Sequence, residues 1–147
     1  MASINDPGEI EKVLGSARTI AVVGCSPNPV RPSHSIARYL IGAGYDVIPV
    51  NPGHAELLGR RCYPDLASIP ADVTLDIVDV FRRSEFVAGL ADAALARGKG
   101  RVGFFWMQDG VFDEEAAKKL NEKGIGVAMD RCIYRDRETL FSAIGGR

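Results

Sequence analysis

Four arginines, Arg31, Arg82, Arg83 and Arg131, stand a few residues beyond short runs of β-branched and apolar residues. Guanidinium groups gathered with backbone N–H groups at a helix start hold phosphates. Their fork of donors matches phosphate oxygens, and the helix end is partially positive. Gly24, Cys25 and Ser26 follow the first run, and Ser33 opens the helical stretch after it, so this loop is the candidate phosphate cradle. Phe81 and Trp106 at two other run ends offer apolar surface for a flat base or a thin chain. Asn51, Pro52, Gln108 and Gly110 complete the set at the remaining ends. Such residues suit a ligand with several phosphates, an aromatic ring and an amphipathic arm.

Groups that could catalyse are scarce. Cys25 is the foremost nucleophile, since a thiol beside a helix N-terminus and arginines has its pKa lowered; Cys132, next to Arg131, is the second. The three cysteines are scattered with no C-x-x-C pair, and the two histidines, His34 and His54, stand far apart. That usage argues against a disulfide framework and against a metal site. Asp76 and Asp79 point to opposite faces of a strand and form no carboxylate pair. The expectation is no catalytic constellation and no metal.

Two nucleotide motifs are absent. A dinucleotide fingerprint needs G-x-G-x-x-G and an acidic residue about 20 positions on, to hold the ribose hydroxyls. Here Gly24 is followed by Cys25-Ser26-Pro27, and the second run ends in Asn51, which is not acidic. NAD is therefore disfavoured. No G-x-x-x-x-G-K-[ST] string occurs, which excludes a P-loop.

The elements that must position these residues alternate. Asp6, Pro7 and Glu9 start a short helix over 7–15: a capping carboxylate, proline at the first helical position and an acid three residues after the cap. The run 19–24 reads as a strand buried on both faces. A helix over 33–43 ends at Gly44, and a strand over 46–50 has Pro49 near its end because proline cannot donate to a ladder. The stretch 53–70 is irregular, with one helical turn expected at 55–59. A strand at 75–80 leads to a helix capped by Ser84 and running to Arg97. Strands at 101–106 and 126–129 flank a helix opened by Asp113, and a last helix spans 136–144.

Strand–helix alternation with short joints predicts an α/β fold: a doubly wound, mostly parallel five-stranded Rossmann-like sheet with helices on both faces. In such sheets ligands sit beyond the carboxyl ends of the strands, at the switch point. A length of 147 residues fits one domain over 1–147, with its core at 18–134. The formal net charge of -1 gives no reason to expect nucleic acid, and no apolar run approaches the roughly 20 residues of a membrane span. The N-terminus lacks the basic and apolar regions of a signal peptide, so cytoplasm is the expected location.

Longer strings carry a resemblance. Ile20-Ala21-Val22-Val23-Gly24-Cys25-Ser26, then Pro29-x-Arg31-Pro32-Ser33, Pro49-Val50-Asn51-Pro52, Asp79-Val80-Phe81-Arg82, Trp106-Met107-Gln108-x-Gly110 and Met129-Asp130-Arg131-Cys132 occur in order. Over 18–134 the chain resembles the small stand-alone CoA-binding proteins, which are similar to the CoA-binding domain of the succinyl-CoA synthetase alpha subunit. The resemblance implies coenzyme A or an acyl-CoA along the strand ends. Gly24, Cys25 and Ser26 would lie under the phosphates, helped by Arg31 and Ser33. Asn51 and Pro52 would follow the adenosine or phosphate portion. Val80, Phe81, Arg82 and Arg83 would pass beside the nucleotide, and Trp106, Gln108 and Gly110 would face the pantetheine, with Arg131 on the same rim. Where the synthetase loop reads G-x-T-G, this chain has Ser26-Pro27. Nothing here supplies the synthetases' phosphohistidine domain, so binding without catalysis is expected, with a protein partner or a homo-oligomer possible. The competing reading is an NAD(P)-binding oxidoreductase or redox sensor; a ligase borrowing catalytic groups from another polypeptide is the third.

Overall fold

The structure, a computed structural model, describes residues 4–143. Helix α1 (Pro7–Ser16) starts where Asp6 accepts a hydrogen bond from the Glu9 N–H. It leads into β1 (Thr19–Val23), α2 (Pro32–Gly42) and β2 (Asp46–Val50). A hairpin follows, β3 (Glu56–Leu57) with β4 (Arg60–Arg61), and then a 3-10 turn over Leu66–Ser68. The rest is β5 (Leu75–Val80), α3 (Val87–Ala96), β6 (Val102–Met107), α4 (Glu114–Glu122), β7 (Gly126–Ala128) and α5 (Ile133–Ala143).

Five strands form one parallel sheet in the order β2-β1-β5-β6-β7. The doubly wound reading holds. Because successive side chains alternate, each strand feeds two cores. Ile20, Val22, Ile77, Phe104 and Trp106 pack with Ile10, Leu14, Ala37, Leu40 and Ile133, under α1, α2 and α5. Ala21, Val23, Val78, Val80, Phe105 and Met107 pack with Val87, Ala91, Ala117 and Leu120, under α3 and α4. No helix among the described residues is long and apolar enough to cross a membrane.

Pro49 has a clearer reason than proximity to the strand end. In edge strand β2, the Gly24 N–H donates to the Val50 carbonyl, whereas the Pro49 carbonyl accepts from Tyr63 on the outer side. The missing proline N–H therefore faces away from β1 and costs the sheet no bond.

Three expectations need correction. Residues 55–59 hold no helical turn: Leu58 and Gly59 have φ of 54° and 72°, which suits the two-residue turn of a hairpin. Ser84 caps no α-helix, because a 3-10 turn over Ser84–Phe86 precedes α3 and the Ser84 hydroxyl instead accepts from the Phe112 N–H at 2.8 Å. Helix α5 starts three residues before 136, and Ile144, its expected end, lies outside the described residues. The irregular stretch is held by Arg97, whose guanidinium donates to the carbonyls of Leu66, Ile69, Pro70 and Val73 at 2.8–3.0 Å. One side chain there satisfies carbonyls that a ladder would otherwise serve.

Gly24 ends β1 with φ of 86°, and a Cβ added there would lie 2.8 Å from the Phe81 carbonyl oxygen and 2.9 Å from Cδ of Arg82. Strain and clash add, so Gly24→Ala should lower unfolding free energy by at least about 1–3 kcal/mol. Denaturant titration checks this; an unchanged midpoint would show that the two chain segments separate freely.

Candidate functional site

Between β1 and α2 the loop is tied by its own polar groups. The Ser26 N–H donates to the Ser33 hydroxyl at 2.9 Å, and the Ser26 hydroxyl accepts from the Asn28 N–H at 3.0 Å. His34 is buried, its Nδ1 2.8 Å from the Ser26 carbonyl oxygen, so that nitrogen carries the proton and the ring anchors the loop. Asn51 spends both ends of its amide: Nδ2 donates to the Cys25 carbonyl, and Oδ1 accepts from the Gly53 N–H, each at 2.8 Å. At the start of α2, Arg31 makes no side-chain cap and Pro32 brings no N–H. The helix end is left without a capping side chain, with a guanidinium beside it.

β1 leads to β2 on one side, and the chain then returns to β5 on the other, so the strand ends diverge and leave a cleft of about 680 Å³. From the first loop it takes Gly24, Ser26, Arg31 and Ser33, and from the end of β2 Asn51. Phe81, Arg82 and Arg83 come from the end of β5, and Gln108 and Gly110 from the end of β6. Arg82 stacks its guanidinium over the Phe86 ring, 4.0 Å from the centroid, which holds a cation beside the cleft without neutralising it. Arg83 is exposed and 3.7 Å from Glu85.

Five of the expected residues stand elsewhere. Cys25, Val80 and Trp106 are fully buried. Trp106 points under α5, where its indole N–H donates to the Arg131 carbonyl at 2.9 Å, so it packs beneath the cleft and is no part of its lining. Pro52 is exposed and outside the cleft lining. Arg131 turns to the opposite side of α5. It donates to both oxygens of Asp136, at 2.7 and 2.9 Å, and borders a smaller cavity of about 220 Å³ with Leu14 and Leu140. The arginines that converge are thus Arg31, Arg82 and Arg83.

The sequence reading missed Cys132 as a wall residue, together with Ile36, Val111 and the Asp109–Arg135 pair. Arg135 grips both Asp109 oxygens at 2.8 Å and holds that carboxyl below the usual carboxylate range. An earlier start for α5 would have revealed it, since residues 133–136 then form a first turn aimed back at the strand ends.

Burial overturns the expectation for Cys25: desolvation, aided by nearby Cys62, pushes its thiol up to about 11, away from nucleophilic use. Asp79 is the other buried titratable group. It lies on β5 between Val22 and Trp106, fully buried, and neither oxygen has a hydrogen-bond partner among the described residues. Desolvation raises its pKa well above the ordinary carboxylate value.

With this geometry in place, similarity to other proteins decides the family. A family model described as a CoA binding domain matches residues 18–138. The chain belongs to that family. YneT of Bacillus subtilis (strain 168) is 44% identical over 125 residues, 85% of this chain and 89% of that protein. A solved structure from Pyrococcus horikoshii OT3 superposes with a TM-score of 0.84 at 34% identity, covering 92% of both chains. The dinucleotide-forming acetyl-coenzyme A synthetase 1 of Ca. Korarchaeum cryptofilum, in complex with phosphate and ADP, matches with a TM-score of 0.65 at 29% identity. That match takes in 74% of this chain and 25% of the synthetase. This small Rossmann-like CoA-binding domain is therefore related to a module within larger CoA synthetases.

Asp79 gives a pH test. Its folded pKa is raised, so between the unfolded value near 3.9 and the raised value the folded state holds the extra proton. The stability this proton confers is complete below the unfolded value. It is lost as pH rises through that window, by about 1.4 kcal/mol per unit. The stability of Asp79→Asn relative to the native chain should therefore grow with pH in denaturant titrations. Parallel curves would show that the carboxyl is not a buried acid.

Proposed function

We propose that this chain, as a single domain, binds coenzyme A or an acyl-CoA in the strand-end cleft without catalysis of its own. The observation that carries this reading is the meeting of Arg31, Arg82 and Arg83 with the uncapped start of α2, in a chain of the CoA-binding family. Beyond the paired Arg135 and Asp109, three further arginines on one cleft of a protein with a formal net charge of -1 favour an anionic occupant. In this reading Arg31, Ser33 and Arg82 take the phosphates, with Arg83 at the mouth. Phe81 lies beside the nucleotide, and Gln108 and Gly110 meet the arm. Three free cysteines suit a reducing compartment such as the cytoplasm.

The NAD(P) alternative has less support. Asn51 stands where an acidic ribose reader belongs, and both ends of its amide are already engaged within the protein.

Calorimetry with CoA, acetyl-CoA, dephospho-CoA, NAD and NADP tests the reading. CoA or acetyl-CoA should bind saturably, and at 100 times its Kd should stabilise the fold by about 2.7 kcal/mol. Binding of NAD with none of CoA would overturn the proposal. Arg82→Ala should weaken CoA binding by about 1–3 kcal/mol, the loss expected for a hydrogen bond to a charged group. Equal affinity would remove Arg82 from the site.

A further inference from the structure

The cleft has a second end, away from Arg31 of the first loop. Gln108 is only 5% exposed, and its Oε1 accepts from the Ile133 N–H at 3.2 Å. That bond fixes which end of the amide is oxygen. The Nε2 group is left without a protein partner among the described residues, on a side chain that lines the cleft. An amide N–H₂ with no protein acceptor, open to the cleft, is a donor available to a ligand carbonyl.

Cys132 is its neighbour. It directly precedes Ile133, is 7% exposed and also lines the cleft. The other two thiols differ. Cys25 and Cys62, buried as Cys132 is, are absent from the cleft wall. One end of the cleft thus carries guanidinium groups, and the other an amide donor beside a thiol. Coenzyme A has the same polarity: phosphates at one end, then an uncharged arm with two amides that ends in a thiol.

We propose that Cys132 is a site of reversible mixed-disulfide formation with the thiol end of a cleft-bound CoA, formed by exchange with CoA disulfide while Gln108 donates to an arm carbonyl. The inference rests on the reading of the cleft as a CoA site. In the exchange, the Cys132 sulfur attacks one sulfur of the CoA disulfide. A Cys132–CoA S–S bond forms, and the original S–S bond breaks. The electron pair leaves with the second CoA as a thiolate, which takes up the proton lost by Cys132. Cys132 is oxidised, one CoA is reduced, and no other oxidant enters. A thiol such as dithiothreitol reverses the step.

The test uses the full chain with CoA disulfide, read by intact-mass spectrometry and peptide mapping, with oxidised glutathione as the comparison disulfide. The expected result is one CoA adduct on Cys132, removed by dithiothreitol and suppressed by desulfo-CoA, which lacks the thiol. Its rate should saturate with CoA disulfide and exceed that of glutathione by about tenfold or more, as pre-binding of the reactant implies. Cys132→Ser should lose the adduct while keeping a cooperative thermal transition; mapping of the native chain stands independently if that variant does not fold. An adduct on Cys25 or Cys62, or equal rates with glutathione, would overturn the proposal. So would the absence of an adduct in a protein that binds CoA by calorimetry under reducing conditions, and then the reading of the cleft survives. If calorimetry shows no CoA binding, both fall together.

Discussion

At the end of β1 the chain passes so close to the end of β5 that only a hydrogen fits between them. Gly24 turns with a positive φ against the Phe81 carbonyl and the Arg82 side chain, while the Phe81 N–H donates to the Val23 carbonyl at 2.9 Å. This contact joins the two strands from which the connections run in opposite directions across the sheet. The cleft exists because those connections part, and its cations meet because the two strand ends do not. A side chain at residue 24 would push Arg82 from the first loop and separate the charges brought to one place.

Charge within the cleft is graded. Arg135 is neutralised by a two-pronged pair with Asp109, and Arg83 is screened by solvent and by Glu85. Arg82 rests on an aromatic face that orients it without cancelling it. Arg31 stands at the uncapped helix start. The strongest unbalanced positive potential therefore lies between the first loop and the end of β5. The β6 side is nearly neutral, with Gln108, Val111 and Cys132 on its wall.

Much of this was legible in the sequence, for identifiable reasons. Parallel strands buried on both faces leave unbroken apolar runs, so β1, β2, β5 and β6 could be placed within a residue or so. Strand ends then locate a switch-point cleft, which brought out Gly24, Ser26, Arg31, Asn51 and Arg82. The losses came where a side chain, not a pattern, decides the backbone. Arg97 holds 66–73 without periodicity, and the tight turn at Leu58-Gly59 lies in a pair of two-residue strands too short to alternate. Trp106 was misplaced because a strand end says nothing of which face a residue takes. Two positions back, Phe104 already marks that face as core. Arg131 was misplaced because the first turn of α5, with Asp136 in reach, carries no apolar stripe strong enough to mark its start.

The fate of the polar side chains separates holding a ligand from transforming one. His34, the imidazole nearest the first loop, has its Nδ1 proton directed at a backbone carbonyl. Ser26 and Ser33 use their hydroxyls to accept from main-chain N–H groups, and Asn51 bridges two loops. Asp79, the carboxyl that would make the best buried acid, faces the apolar side of the sheet between Val22 and Trp106 and is absent from the cleft lining. His34, Ser26, Ser33 and Asn51 are committed to shaping the loop, Asp79 is sealed beneath it, and Asp109 on the cleft wall is paired with Arg135. Beside these, the cleft wall carries unpaired positive charge, the Gln108 amide and the Cys132 thiol. Fixed charge and an amide recognise a ligand without altering it; the thiol alone can make a covalent bond, and it stands at the end where the ligand's own sulfur would lie.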